Sequence, residues 1–308
     1  MVESSSVMLL DAASMYFRAF YGVPDSLKSP DGKPVNAIRG FADMIARLVT
    51  EYRPREIVAA WDNDWRPEFR VRAIPSYKAH RVDPDTGGED VPEGLPHQVE
   101  VIRELLAAIG FARIGVDGYE ADDIIGTLTA RARAQNRPVD VVTGDRDLFQ
   151  LVDDEAKVRV LYLGRGVKNL DPVNEARLQE RHAVTSGKQY AQMAILRGDP
   201  SDGLAGVAGV GEKTALKLLE KFDGLENLIT AVDDPASSLT LTQRTRFKEA
   251  RDYLSAAPSV VNVVSDIPIK DAGTPLPLTV SDPQRVQQLG EQWGLGSSLE
   301  RLIDAVTS

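Results

Sequence analysis

The sequence predicts an α/β protein, a mostly parallel sheet flanked by helices, followed by a helical C-terminal region. Two observations predict it. Short apolar runs that end in an acid recur through the first half and alternate with helical patterns, the order from which parallel sheets are built. Near His182 the alternation stops and helical spacing takes over, so domains are expected at 1–182 and 183–308. A chain of 308 residues is long enough for both cores.

Val7-Met8-Leu9-Leu10 reads as a buried strand running into Asp11. Ala37 to Glu51 carries Ile38, Phe41, Ile45, Leu48 and Val49 at helical spacing. Ile57 to Trp61 repeats the strand pattern and stops at Asp62, and Val99 to Ile109 is a further helix. Gly118-Tyr119-Glu120-Ala121-Asp122-Asp123 then meets the apolar helical run Ile124, Ile125 and Leu128. Val139 to Thr143 is another strand, with Gly144-Asp145-Arg146-Asp147 behind it, and Val158 to Leu161 follows. Past the boundary, Tyr190 to Leu196, Ala215 to Phe222, Gln243 to Ser255 and Gln287 to Val306 read as helices, with a Pro-rich connection from Pro258 to Pro283. The last of these show no chemistry; spacing such as Leu299, Leu302, Ile303 and Val306 is core packing.

Composition narrows the chemistry. The absence of cysteine excludes disulfides, zinc-thiolate sites and a cysteine nucleophile. With only His80, His97 and His182 available, any metal site must be built from oxygen, which suits magnesium or manganese. The N-terminus lacks the basic and long apolar regions of a signal peptide, and no run reaches membrane-spanning length, so a cytoplasmic protein is expected. A net charge of −10 argues against nucleic acid unless the acids are metal ligands, because bound cations reverse the local field.

The acids fit that exception. One Asp after a strand is an ordinary turn former or helix cap, and one acid in a helix's first turn complements the macrodipole. Here three strands end in Asp, beside Glu120, Asp122 and Asp123 and the pair Asp145 and Asp147. In a parallel sheet such strand ends share one rim, where ligands gather. Another acid pair, Asp199 and Asp202, lies in Arg197-Gly198-Asp199-Pro200-Ser201-Asp202 at a helix end.

Residues 74–96 are interrupted by Pro75, Pro84, Gly87, Gly88, Pro92, Gly94 and Pro96, the mark of a long mobile lid. Its leading edge mixes Arg66, Phe69, Arg70, Arg72, Tyr77, Lys78, His80 and Arg81, a composition suited to neutralising a nucleic-acid backbone and stacking on bases. Gly206-Val207-Ala208-Gly209-Val210-Gly211-Glu212-Lys213-Thr214 fails as a P-loop because Glu212 separates the last glycine from the lysine. It reads instead as a helix-hairpin-helix, whose glycines let the backbone approach a phosphate, with Lys213, Lys217 and Lys221 on successive turns.

Together Leu9-Leu10-Asp11, Trp61-Asp62, Phe69-Arg70 through Tyr77-Lys78, Gly118 to Asp123, Thr143-Gly144-Asp145-Arg146-Asp147-Leu148, and Gly198-Asp199-Pro200-Ser201-Asp202 through Gly211-Glu212-Lys213-Thr214-Ala215 resemble the flap endonuclease and 5′-3′ exonuclease family. The resemblance is to the bacterial type found as the front domain of DNA polymerase I, here expected to be free-standing. It implies a PIN-like catalytic domain and a C-terminal domain with a helix-hairpin-helix of the H3TH/H2TH type. It further implies two divalent cations, Mg2+ or Mn2+. One would be held by Asp11, Asp62, Glu120 and Asp122 with Asp123 shared as a ligand or close by, the other by Asp145, Asp147, Asp199 and Asp202. By the same resemblance Lys78 approaches the scissile phosphate, Arg70 and Arg81 are basic residues of a helical arch over 74–96, and Tyr77 stacks on a terminal base. Gly206, Gly209, Gly211, Lys213, Thr214 and Lys217 would grip duplex DNA and a potassium ion. The implied partner is DNA with 5′ flaps, nicks or free 5′ ends, met during replication and repair by a monomer. Two departures stand out: Gly203 where many relatives have Asn, and the arch acids Asp83, Asp85, Glu89, Asp90 and Glu93. The alternatives are a catalytically weak DNA-structure binder, which would require lost ligands, and a PIN-type RNA nuclease, which would ordinarily be shorter and lack the hairpin.

Overall fold

A computed structural model describes residues 6–270 and 272–308. In chain order it contains β1 (Val7–Asp11), α1 (Ala12–Gly22), α2 (Asn36–Tyr52), β2 (Glu56–Ala60), α3 (Glu68–Ala73), α4 (Pro96–Ile109), β3 (Arg113–Ile114), α5 (Ala121–Ala134), β4 (Val139–Thr143), β5 (Val158–Tyr162) and β6 (Asp171–Val173). There follow α6 (Glu175–His182), α7 (Gly187–Arg197), α8 (Glu212–Phe222), α9 (Leu225–Asp233), α10 (Leu241–Glu249), α11 (Arg251–Val261), β7 (Thr274–Pro275), α12 (Pro283–Trp293) and α13 (Gly296–Thr307).

The sheet runs β3-β2-β1-β4-β5-β6, with β7 also on β2. Pairs β1–β2, β1–β4, β2–β3 and β4–β5 are parallel, and β6 and β7 are antiparallel edges. Both faces are covered, which is why the strands are continuous apolar runs rather than alternating ones. Val7, Leu9, Val58, Val141 and Val160 point to a core shared with Ile124 and Ile125 of α5 and with α7 and α8. Met8, Leu10, Ile57, Val142 and Leu161 point the other way, onto α1, α2 and α4.

Where the pattern and the structure differ, the causes are local. The expected helix from Gln243 to Ser255 is two helices meeting at Ala250, and the second runs through Pro258 to Val261. Gly294, with φ 60°, splits the expected Gln287–Val306 helix. Nor does the C-terminal region keep to one side of the boundary expected near His182. Val286, Leu289, Trp293, Leu302 and Val306 bury their side chains in the α2/α4 core, and β7 joins the sheet. Sequence spacing shows that such a helix is amphipathic but not which core takes its apolar face.

Residues 74–96 are a correction to the expected helical arch. Their only helical turn is a short one at Ala79–Arg81, followed by a turn closed by the Val82–Glu89 bridge. The prolines and glycines remove the donors and the backbone preference a longer helix needs.

Candidate active site

The carboxyl ends of β1, β2 and β4 open onto one cleft of about 550 Å3, and Asp11, Asp62, Asp145, Glu120, Asp122, Asp147 and Asp199 all line it. The Oδ1 of Asp11 accepts from Ser14 N at 3.0 Å and so caps α1, while its Oδ2 accepts from the Thr143 hydroxyl at 2.6 Å. Asp11 therefore serves as helix cap and cleft wall together. Asp62 accepts from Ala121 N at 2.7 Å, which ties the start of α5 to the end of β2. Asp145 accepts from Asp147 N at 2.9 Å, making the tight turn that keeps both carboxylates at the rim. Asp199 closes a similar turn by accepting from Ser201 N at 2.8 Å.

Crowding these acids is costly. Burial pushes Asp11 up to about 7 and Asp62 up to about 6. Burial first, and Asp145 next, hold Asp122 and Asp147 well above the usual carboxylate range. The side chains of Asp122 and Asp147 have no hydrogen-bond donor among the described residues. Among those residues no three acids close into a cage around one point. The fit to divalent cations lies in the charge and in the all-oxygen donor set, which suits a hard ion.

Lys78 and Arg81 bond acids of this rim and of the turn beside it. Lys78, in a left-handed conformation (φ 48°, ψ 20°), bonds Glu120 Oε2 through its ammonium. Burial would lower that ammonium, but Glu120, Tyr77 and Asp202 outweigh it and hold it well above the ordinary lysine value. Arg81 donates to Asp202 Oδ1 at 2.7 Å and to Ser201 O at 3.0 Å. Asp202 is raised by burial despite both cations. The segment rests directly on the 199–203 turn: Lys78 N donates to Asp202 O, and the Ser76 hydroxyl donates to Gly203 O at 2.7 Å. A Cβ on Gly203 (φ 72°) would stand 2.1 Å from Ser76 O, so glycine is what permits this contact.

Three expected site residues are placed differently. Arg70 is 2 % exposed, and its guanidinium is consumed by Asp123 (2.7 Å, bidentate), Glu120 Oε1 (3.3 Å) and Val260 O (2.9 Å), so it does not reach the cleft. Asp123 is fully buried; besides Arg70, it accepts from Glu120 N and Val264 N, which leaves no oxygen for a metal. Asp122 and Asp123 point apart because neighbours on a helix are a hundred degrees apart. Tyr77 is 4 % exposed with its hydroxyl donated to Glu120 Oε1 at 2.8 Å, so it does not stack on a base.

The hairpin lies outside the cleft lining, between α7 and α8. Gly206 (φ 66°) passes so close to Arg197 that a Cβ would meet its carbonyl at 2.4 Å, whereas at Gly209 (φ 71°) a Cβ would meet only the movable end of the Arg246 side chain, and the left-handed backbone is what favours glycine there. Gly211 starts α8 in open space, Lys213 and Lys217 are exposed on that helix, and Thr214 is half-buried. Also lining the cleft, without having been assigned to the site, are Tyr16, Phe17, Trp65, Glu89, Arg146 and Arg197. Arg146 and Arg197 lie within the acidic motifs and Glu89 among the acids of 74–96, so these three were readable; Tyr16, Phe17 and Trp65 required the fold.

A carboxylate rim at the end of a parallel sheet, with cations over it and a helical hairpin beside it, is the arrangement a nuclease of this fold needs. Residues 6–183 match the 5′-3′ exonuclease N-terminal resolvase-like domain, and residues 185–284 match the 5′-3′ exonuclease C-terminal SAM fold. The chain is similar to a 5′-3′ exonuclease of Streptomyces coelicolor, 56% identical over 98% of this chain and 100% of that one. It is also similar to a 5′-3′ exonuclease of Mycobacterium tuberculosis, 48% identical over 98% of each. In fold it resembles the bacteriophage T5 flap endonuclease solved with DNA and metal ions, with a TM-score of 0.64 at 17% identity over 98% of this chain and 100% of that one. The chain belongs to the 5′-3′ exonuclease family. Among the described residues no helix is long and apolar enough to cross a membrane.

Proposed function

We propose that this nuclease hydrolyses DNA at 5′ flaps, nicks and free 5′ ends, leaving a 5′-phosphate and a 3′-hydroxyl, as a monomer acting in replication and repair. The observation that carries the reading is the single cleft where acids from β1, β2, β4, α5 and the 199–202 turn meet Lys78 and Arg81. Asp11, Asp62, Glu120 and Asp122 would hold one divalent cation and Asp145, Asp147, Asp199 and Asp202 the other, Mg2+ or Mn2+. When bound, two such ions lower the pKa of an attacking water and neutralise charge on the leaving oxygen.

The chain's own residues do the rest. Lys78, kept protonated by its acidic surroundings, supplies a fixed positive charge beside the phosphate as negative charge develops in the transition state. Arg81 can pass its hydrogen bonds from Asp202 to a phosphate oxygen, a charge-assisted exchange between like acceptors. The left-handed glycines and the start of α8 would take a duplex phosphate and, through backbone oxygens, a potassium ion. Lys213 and Lys217 continue that track.

The test is cleavage of a 5′-flapped duplex labelled at the flap's 5′ end, with Mg2+, Mn2+ or EDTA. Metal-dependent release of a flap-length fragment supports the reading. Tight binding without product would leave a DNA-structure binder, and preferred cutting of single-stranded RNA would overturn the DNA assignment.

A further inference from the structure

The end of α11 and the residues just after it, 260–264, lie in the stretch where the sequence shows no chemistry. A helix end leaves backbone carbonyls without partners, and here side chains from the catalytic half supply them. Arg70 Nε donates to Val260 O at 2.9 Å, and Gln150 Nε2 donates to Val261 O at 3.0 Å. Asn262 N still bonds Pro258 O, and the two amides after it are taken up from the same side: Val263 N donates to Gln150 Oε1 at 3.0 Å, and Val264 N to Asp123 Oδ1 at 2.9 Å.

Each strut continues to one half of the acidic rim. Arg70 and Asp123 hold Glu120 by side chain and backbone, at 3.3 and 3.2 Å, and thereby fix the turn that presents Glu120 and Asp122. Gln150 Nε2 also donates to Asp147 O at 2.9 Å, fixing the turn that presents Asp145 and Asp147. One five-residue segment is thus tied at one side to the first group of acids and at the other side to the second. Arg70 and Asp123 are buried, and a buried bidentate pair with its remaining lone pairs satisfied has one stable geometry.

We infer that residues 260–264, acting through Arg70, Asp123 and Gln150, set the separation of the two cation sites, so that these three are positioning residues rather than ligands or phosphate-binding groups. The inference rests on the proposed reading of Glu120, Asp122, Asp145 and Asp147 as cation ligands. Such a device matters because a two-cation site works only when both ions are held at a set spacing across the reacting phosphate.

The full chain, carrying Gln150→Met, Asp123→Asn or Arg70→Lys, tests it, with Asp147→Asn as the ligand-removed reference. Mn2+ binding is followed by electron paramagnetic resonance without DNA, duplex affinity is measured in Ca2+, and single-turnover cleavage is measured against Mn2+ concentration. Gln150→Met and Asp123→Asn are expected to weaken Mn2+ binding about tenfold, leave duplex affinity within about twofold, and recover their cleavage rate as Mn2+ is raised, the pattern of a misplaced but intact ligand set. Asp147→Asn does not recover. Variants that bind Mn2+ as the parent does, or whose rate excess Mn2+ fails to restore, overturn the inference. If the parent binds Mn2+ and Asp147→Asn leaves that binding unchanged, the cation reading itself fails and the struts with it. Should Arg70→Lys not fold, Gln150→Met, at a half-buried position, carries the test.

Discussion

Lys78 and Asp147 show how single side chains are committed by their surroundings. Lys78 is held charged among Glu120, Tyr77 and Asp202, and Arg70 and Tyr77 still bond Glu120 when it is removed. Lys78→Ala should therefore keep the fold and slow single-turnover flap cleavage by about 10²–10³, the typical worth of one preorganised charge. A rate near the parent's would remove Lys78 from the reaction. Asp147 is the opposite case, a carboxylate whose ionisation burial and Asp145 both oppose. Asp147→Asn should abolish cleavage while raising the melting temperature in EDTA, because the amide removes a charge the folded state disfavours. A lower melting temperature would mean that the carboxylate stabilises the metal-free fold.

At the scale of elements, the hairpin and α8 are the unit proposed to face DNA, and the sequence showed its shape more clearly than its packing. Glycine at 206 satisfies two demands together, a left-handed backbone and a carbonyl a side chain could not pass. Lys213 and Lys217 have no such constraint; they are exposed, so their contribution is charge alone. Replacing both by Ala should weaken duplex binding and lower the slope of log affinity against log salt by about two, roughly 0.9 for each phosphate no longer neutralised. Titrations in Ca2+ at several salt concentrations check this, and an unchanged slope would take α8 off the phosphate track. The 74–81 segment shows where reading elements from sequence stops. Proline and basic residues spell a loop, yet its seat on the 199–203 turn depends on residues more than a hundred positions away.

For the whole molecule, the carboxylate rim makes stability depend on pH. Asp11 at about 7 and Asp62 at about 6 in the folded chain lie above their ordinary value of 3.8. The folded state therefore binds more protons than the unfolded one between about pH 4 and pH 7, and stability falls as pH rises through that window. In EDTA the melting temperature should drop by several degrees from about pH 5 to about pH 8, and Mn2+ should restore more at the upper end, where the carboxylates are ionised. Calorimetry at the two pH values, with and without metal, decides it; a melting temperature that is flat or rising in EDTA would mean the rim acids are already well solvated or paired.

The four five-residue strands, the acid that follows three of them and the glycine hairpin were determined by the sequence alone, because each follows from local periodicity and the conformational limits of a few adjacent residues; β3, β6 and β7, two or three residues long, carry too little periodicity to be read. Asp11, Asp62 and Asp145 could share a rim only if their strands were parallel neighbours, and alternating helices made that the expected outcome. Tertiary structure decided which charges face the cleft. Asp122 and Asp123 are adjacent and chemically alike, yet one lines the rim and the other is locked to Arg70, because helix rotation and the arrival of 260–264 separate them. It also decided that α12 returns to α4 and α13 to α2 rather than staying with the helical region. An amphipathic stripe encodes the need for a partner, and only the folded chain provides one.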